Sequence, residues 1–309
     1  MRQAARSAAA VVLMLVALLA GSGRLVAADW RDDLKVLRVG FLSSASPAAD
    51  VARLEPFRAY LEARIALPVE LVPATTYAAL IDAETTGRVQ YAIHSAVSYA
   101  TAAAECTCVE PLAAPTAADG SRGFYAILLV RADSAIHDLA GTDGARLAFS
   151  AGDSIAGRLV PMKAFAVAGI DPATHFASLY EASGPEDAIA ALLDGRADVA
   201  VGWSSLAGDA AGGYSFGGLT RMVADGRLSM DRVRVVWQSR LIPFGPHAVR
   251  KEMPVELKTL LANALTAMAT AAPDVLDAVD RSSLGGGGFV AASAADYAVI
   301  DELIAPSGD

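Results

Sequence analysis

TTYAALIDAETTGRVQYAIHSAVSY, residues 75–99, passes from one hydrophobic period to another and back again. Thr76 to Glu84 carries apolar residues at helical spacing, VQYAIH (89–94) is a short β-rich run, and HSAVSYA opens a new helix on small and hydroxyl residues. A helix that feeds a strand that feeds a helix is one step of a parallel α/β sheet.

The same order recurs on both sides of this stretch. Upstream lie KVLRVGF (35–41), a helix from Arg53 to Arg64 and PVELV (68–72). Downstream come GFYAILLVR (123–131), ARLAFS (145–150), a helix from Ala156 to Val167, HFASLYE (175–181), a helix over Pro185–Leu193, ADVAVGW (197–203) and RVRVVWQS (232–239). Helical segments at 254–271, 273–281 and 294–304 close the chain without another strong strand signal. AGDAAGGYSFGGL (207–219) and LGGGGF (284–289) read as loops, and no repeat of 20–50 residues is evident. The expected architecture is two α/β lobes joined by crossing strands, with residues 29–122 and 240–309 in lobe 1 and 123–239 in lobe 2.

The 309 residues are 54% apolar, enough for a large core, and carry a formal charge of −9. Residues 1–28 combine Arg2 and Arg6, the apolar run AAAVVLMLVALLAG and small residues before Asp29, which is the pattern of a cleaved secretory leader. Its removal takes away Arg2, Arg6 and Arg24 and no acid, and so leaves −12. Such a chain is a poor partner for nucleic acid or anionic lipid. No later stretch is apolar for the ~20 residues of a bilayer span, so the mature chain is expected to be exported, not membrane-inserted, and monomeric.

Open α/β sheets bind ligands beyond the carboxyl ends of their strands. Three such junctions, HSAVSYA, GDSIAGRLVP and GWSSLAG, set small or hydroxyl residues at a helix start, where unpaired N–H groups and the helix dipole favour an anion. Ser95, Ser154 and Ser204 are equally good as plain N-caps, and that alternative stays open.

The chain resembles the phosphonate-type periplasmic solute-binding proteins of ABC importers. The resemblance runs through LRVGFLSSASP (37–47), residues 75–99, AADGSRGFYAILLVRADS (117–134), SAGDSIAGRLVPMKAFAVAGID (150–171), LLDGRADVAVG (192–202) and VWQSRLIPFGP (236–246). It implies a type II periplasmic-binding fold, with two lobes that close by a hinge on one small oxyanion or oxyacid and then meet an ABC permease. First-lobe contacts would come from Ser43, Ser44, His94 and Ser95, and second-lobe contacts from Ser154, Ile155, Ala156, Gly157 and Trp203.

The departures bear on specificity. Where phosphonate binders resemble Ser-Thr-Ser-Gly, only Ser154 and Gly157 keep the pattern; Ile155 and Ala156 supply backbone amides alone. His94 stands where an aromatic is usual, Pro185 where a histidine is expected and Gly245 where an acid is expected. An aminoalkylphosphonate would lose its ammonium partner.

Cys106 and Cys108 are the only cysteines. In an extended segment their spacing puts both side chains on one face with Cα atoms near ~6.6 Å, at the upper edge of disulfide geometry. Three readings follow: a local disulfide, a soft site for a metalloid, or inert thiols. The second matches the arsenite-binding branch of the same family, which holds a neutral oxyacid through cysteine and serves a sensor kinase; Cys108 would then be the ligand and a sensor-kinase ectodomain the partner.

Enzymatic readings find less support. GDSIAG resembles the serine motif of GDS-type esterases, but that family's serine lies near the mature start and works with a late Asp-x-x-His, which is missing. His94, His137, His175 and His247 are scattered, and no zinc-protease, Walker or dinucleotide motif occurs. The expectation is a binding protein with no catalytic residue, no cofactor and no metal.

Overall fold

The computed structural model describes residues 30–43, 46–150, 154–279 and 286–304. The leader expected over residues 1–28 lies outside them. Trp30–Asp33 form a single helical turn in one unit of the chain, and Val36–Asp309 form another.

Twelve strands can be followed through the described residues of that second unit: β1 (Leu37–Leu42), β2 (Val69–Ala74), β3 (Tyr91–Ile93), β4 (Val109–Pro115), β5 (Gly123–Arg131), β6 (Arg146–Ser150), β7 (Ser178–Ala182), β8 (Val199–Ser204), β9 (Val233–Gln238), β10 (Ile242–Pro243), β11 (His247–Arg250) and β12 (Phe289–Ala291). They form two six-stranded sheets. The first has the order β12-β4-β11-β3-β1-β2, with β1 parallel to both β2 and β3. The second has the order β10-β5-β8-β6-β7, with β9 added along β5, and β6 parallel to both β7 and β8. The chain passes from the first sheet to the second between β4 and β5 and returns between β10 and β11. Each sheet therefore has its own run of β-α-β steps, as the alternating periods require.

Helices cover the sheets through regular apolar stripes. Helix α1 (Pro47–Ile65) buries Leu54, Phe57, Leu61 and Ile65, residues three and four apart along one face. Helices α2 (Tyr77–Thr85) and α3 (Ala96–Cys106) follow β2 and β3. In the second sheet the central strand β5 buries Ile127, Leu128, Leu129 and Val130 completely, each worth about 1.5–3 kcal/mol relative to exposure. A π-turn over Ile155–Leu159 runs into α4 (Val160–Val167), and α5 (Pro185–Leu193) follows β7.

Four strands escape the hydrophobic pattern. Pro111 and Pro115 argue against a strand over 109–115, yet β4 forms; Pro115 ends it, and Pro111 pairs with Ala248 where a bulge interrupts the ladder. β10, β11 and β12 are two, four and three residues long, too short for a period to register. Of the three closing helices, the segment expected at 273–281 is helical over Pro273–Val279, its remainder lying outside the described residues, and 294–304 starts as a 3-10 turn before Ala298–Ile304.

Candidate functional site

On the second sheet, β6 ends at Ser150 and the next helix is capped by Ser154, whose Oγ accepts the Gly157 N–H at 3.2 Å. The Arg158 and Leu159 amides both donate to the Ser154 carbonyl, at 2.9 and 3.0 Å, and the second of these bonds makes the wide π-turn. A helix start leaves its first amides, here Ile155 and Ala156, without an intrahelical acceptor. Ser150 lies against this turn, and a Cβ on Gly157 would fall 2.2 Å from the Ser150 Oγ and 2.7 Å from the Ser154 Oγ. Only glycine fits. Ser150 is 1% exposed, and its hydroxyl has no hydrogen-bond partner among the described residues. An orphaned buried hydroxyl costs roughly 1–3 kcal/mol, a deficit that a bound acceptor can relieve. The helix start, the glycine gap and the orphaned hydroxyl form a cradle of donors suited to an oxyanion.

On the first sheet, β3 leads through His94 to Ser95, which forms a reciprocal capping box with Ser98. The His94 ring turns inward. Its Nε2 lies 2.6 Å from Glu84 Oε2 and its Nδ1 3.0 Å from Ser98 Oγ, and the side chains of His94 and Glu84 are wholly buried. The returning crossover closes onto this point through Gly245, where a Cβ would meet the His94 carbonyl at 1.9 Å and the Ser95 Cα at 2.6 Å. The position expected to carry an acid thus has no room for any side chain.

A cavity of about 350 Å³ opens at the carboxyl ends of β1 and β3, with Phe41, Leu54, Ile93, Phe244 and Phe289 among its walls. His247 also lines it. Burial pushes the His247 imidazole down to about 3, with His94 acting in the same direction, so the ring is neutral at physiological pH. The Tyr91 hydroxyl is hydrogen-bonded to its Nδ1, and burial holds that phenol well above its ordinary value.

The two sheets meet around these helix starts. Ala96 and Tyr99 of α3 share one apolar cluster with Ala156 and Val160, together with Ala126 and Ile242 on the crossing strands; Ile155 and Trp203 pack against it. Phe124 of β5 meets Trp203 of β8 edge-on, with ring centres 5.4 Å apart, and Phe244, on the returning crossover, meets Phe216 of the loop after β8 at 5.7 Å. The structure therefore brings the Ser95 and Ser154–Gly157 helix starts and Trp203 to one inter-lobe region.

Other expected residues are placed differently. Ser43 is buried and donates to Asp50 Oδ2 at 2.6 Å, so its hydroxyl serves the first turn of α1. Ser44 lies outside the described residues. His94 spends both ring nitrogens on Glu84 and Ser98.

Cys106 and Cys108 are joined in a disulfide, the first of the three readings left open for the pair, and in that state Cys108 has no thiolate to offer a metalloid. The segment is not extended: Cys106 ends α3, Thr107 is left-handed at φ 51°, and the two Cα atoms lie 5.0 Å apart. The eleven residues of α3 also put the pair about 16 Å along the helix from the Ser95 end, at ~1.5 Å per residue. Ser150 is the last residue of β6, inside the strand run, and the helix-start pattern that marks Ser154 gives it no signal.

Residues 39–297 match the family model described as "ABC transporter, phosphonate, periplasmic substrate-binding protein". The chain belongs to this phosphonate-binding family. It is 28% identical over 224 residues to the phosphonates-binding periplasmic protein of Escherichia coli (strain K12), a match over 71% of this chain but only 62% of that relative. The fold is shared with a binding-protein component of an ABC phosphonate transporter from Pseudomonas aeruginosa (TM-score 0.53, 23% identity, 87% of this chain and 85% of that one). It is shared too with XAC2383 of Xanthomonas citri, solved with chloride (TM-score 0.62, 21% identity, 87% and 96%), and with PhnD1 of Prochlorococcus marinus in complex with methylphosphonate (TM-score 0.53, 18% identity, 87% and 97%). The phosphonate-binding family is periplasmic and its named members are transport binding proteins. Among the described residues no helix is long and apolar enough to cross a membrane.

Proposed function

We propose that this chain is a periplasmic receptor that captures a small phosphonate-class oxyanion between its two lobes and presents it to an ABC permease. The observation that carries the reading is the cradle at the start of the second-lobe helix: the Ile155 and Ala156 amides, the Gly157 gap and the unpartnered Ser150 hydroxyl. The E. coli relative is named for phosphonates and the P. marinus structure holds methylphosphonate, which agrees with a tetrahedral anion here. Lobe 1 takes residues 36–122 and 244–309 and lobe 2 residues 123–243, because β10 pairs with β5 in the second sheet and so moves the expected boundary at 240 past Pro243; the crossovers form the hinge, and the exported chain acts as a monomer after its leader is removed. Ser95 and Ser154 shape the helix starts, His94 braces the first lobe from behind, and Trp203 flanks the cleft.

The arsenite reading and its sensor-kinase partner are not retained, because the sulfurs it requires are bonded to each other at the far end of α3. An esterase reading is weaker still, since Ser154 is engaged in capping its own helix.

Calorimetric titration of the mature protein with methylphosphonate, phosphite and phosphate tests the proposal. One site per chain for at least one of these anions, with the anion recovered unchanged, is the expected result. Absence of binding to all three defeats it.

A further inference from the structure

The bridge between Cys106 and Cys108 lies at the surface and its two sulfurs have unlike surroundings. Both cysteines are half-buried, and Thr107 between them is exposed. Cys106 ends α3, so its sulfur sits among the last carbonyls of the helix: Sγ is 3.4 Å from the Ala102 oxygen, with one compensating amide, the Cys108 N–H, at 3.2 Å. The negative end of an eleven-residue helix disfavours a thiolate there. Cys108 immediately precedes β4, whose Val109 pairs with Arg250, the last residue of β11. That pairing sets Arg250 Nη1 3.7 Å from the Cys108 sulfur.

The guanidinium is held in this position. Nη1 donates to the Glu84 and Thr85 carbonyls at 2.6 and 2.9 Å, and so covers the Thr85 oxygen that stands 4.0 Å from the same sulfur. Glu252 takes the other side, Nε and Nη2, at 2.7 and 3.0 Å. The Arg250 side chain is 12% exposed against 69% for Glu252, so the acid is the better screened of the two. Of the other charged groups around the turn, Lys251 donates to the Thr107 carbonyl at 2.7 Å, Lys258 pairs with Glu110, and Glu105 is exposed on α3. A cation in contact lowers the pKa of a thiol and makes its sulfur the better leaving group.

Two further features favour opening. A ring of three residues restrains the unfolded chain little, because the entropic gain falls with loop length. Thr107 is left-handed at φ 51°, an outlier for a β-branched residue, and an opened turn is free to relax it.

We infer that this disulfide is a thiol-exchange site for dithiols, with Cys106 as the sulfur attacked and Cys108 as the leaving thiolate. An incoming thiolate bonds to Cys106 Sγ as the Cys106–Cys108 bond breaks, and the electron pair stays on Cys108 Sγ beside Arg250. The second thiol of the dithiol then gives up its proton and attacks the sulfur bonded to Cys106. The dithiol leaves as a disulfide, and Cys106 takes the proton to become a thiol facing the Ala102 carbonyl. Two electrons pass to the protein. The site stands at the other end of α3 from the Ser95 helix start and does not depend on the oxyanion reading.

The test treats the native mature protein at pH 7 with dithiothreitol or reduced glutathione and quenches it in acid, after which mass spectrometry counts the opened bridges and locates the glutathione. Dithiothreitol should open the bridge fully without denaturant, and glutathione should be found mainly on Cys106. In single-cysteine variants, alkylation by iodoacetamide should show a pH midpoint for Cys108, in Cys106→Ser, about one unit below that for Cys106, in Cys108→Ser, and adding Arg250→Gln to the first should remove the difference. A bridge that opens only in denaturant overturns the inference. So does glutathione carried equally or mainly on Cys108, and so do equal midpoints in the two single-cysteine variants. Both of those variants retain Arg250, so their comparison decides the matter even where Arg250→Gln does not fold.

Discussion

Glu84 and His94 are ten residues apart in sequence, wholly buried, and joined by a 2.6 Å contact between carboxylate and imidazole just behind the helix start at Ser95. One carboxylate oxygen, Oε1, has no hydrogen-bond partner among the described residues. The pair ties the end of α2 to the end of β3, and Ser98 secures the other ring nitrogen. Removing either member leaves a polar group buried without its partner.

Glu84→Ala is therefore expected to destabilise the protein by about 3 kcal/mol or more, the range found when one member of a buried pair is deleted. Glu84→Gln, which preserves the shape and a hydrogen-bonding oxygen, should cost less than half as much. Urea unfolding of the two variants against wild type measures both; equal losses would mean that shape rather than the carboxylate–imidazole bond matters here.

His247 makes stability depend on pH. Its imidazole is lowered from 6.5 to about 3 by burial, so below pH 6.5 the unfolded chain takes up a proton that the folded chain refuses. The stability it contributes is complete above about pH 6.5 and is lost as pH falls towards 3, at up to ~1.4 kcal/mol per unit, or about 2 kcal/mol by pH 5. The carboxylates held below their ordinary range, Asp198 by the Arg146 hydrogen bond and Glu252 by the Arg250 hydrogen bond, act in the same direction only at lower pH. His247→Phe should flatten the profile between pH 6.5 and 5 while adding a constant cost for the buried Tyr91 hydroxyl left without its partner. Denaturant melts at pH 7, 6 and 5 read the difference in slope.

Much of this architecture is legible in the chain because periodicity and burial coincide. GFYAILLVR (123–131) and the helix Pro185–Leu193 stand in the structure with the bounds read from sequence, since β5 is an unbroken apolar run and α5 is opened by a proline at its first turn. The helix starts at Ser95 and Ser154 were legible for the same reason: a strand run stops and small polar residues follow. What stayed hidden depends on long-range contacts. Nothing local says that His94 will turn inward to Glu84, that Thr107 will take a left-handed conformation without being glycine, or that the hydroxyl left without a partner will be Ser150 rather than Ser154. Gly245 could be noted as a missing acid, but the reason, a backbone pressed against His94 and Ser95, exists only in the fold.

The disulfide is expected to matter little for the ligand. It closes a loop of three residues, for which the chain-entropy model gives only about 1–2 kcal/mol, and it lies at the opposite end of α3 from the Ser95 helix start. Replacing both Cys106 and Cys108 with Ser should lower stability by that amount and leave methylphosphonate affinity within twofold. A larger affinity loss would mean that α3 transmits the state of its far end to the Ser95 start.

Ser150 and Gly157 give opposite signatures from adjacent positions. In Ser150→Ala a buried hydroxyl that finds no partner among the described residues is removed, so stability should be unchanged or rise by up to about 1 kcal/mol. If that hydroxyl donates to the bound oxyanion, the same variant loses a charge-assisted hydrogen bond of about 1.5–3 kcal/mol, and affinity should fall roughly ten- to a hundredfold. Gly157→Ala instead drives a Cβ into the Ser150 and Ser154 hydroxyls, at 2.2 and 2.7 Å, so the turn must open and both stability and affinity should drop. Pairing a thermal melt with a titration for each variant separates the roles. A Ser150→Ala protein that melts like wild type but binds tenfold more weakly identifies Ser150 as a ligand contact; one that binds like wild type moves the anion away from β6.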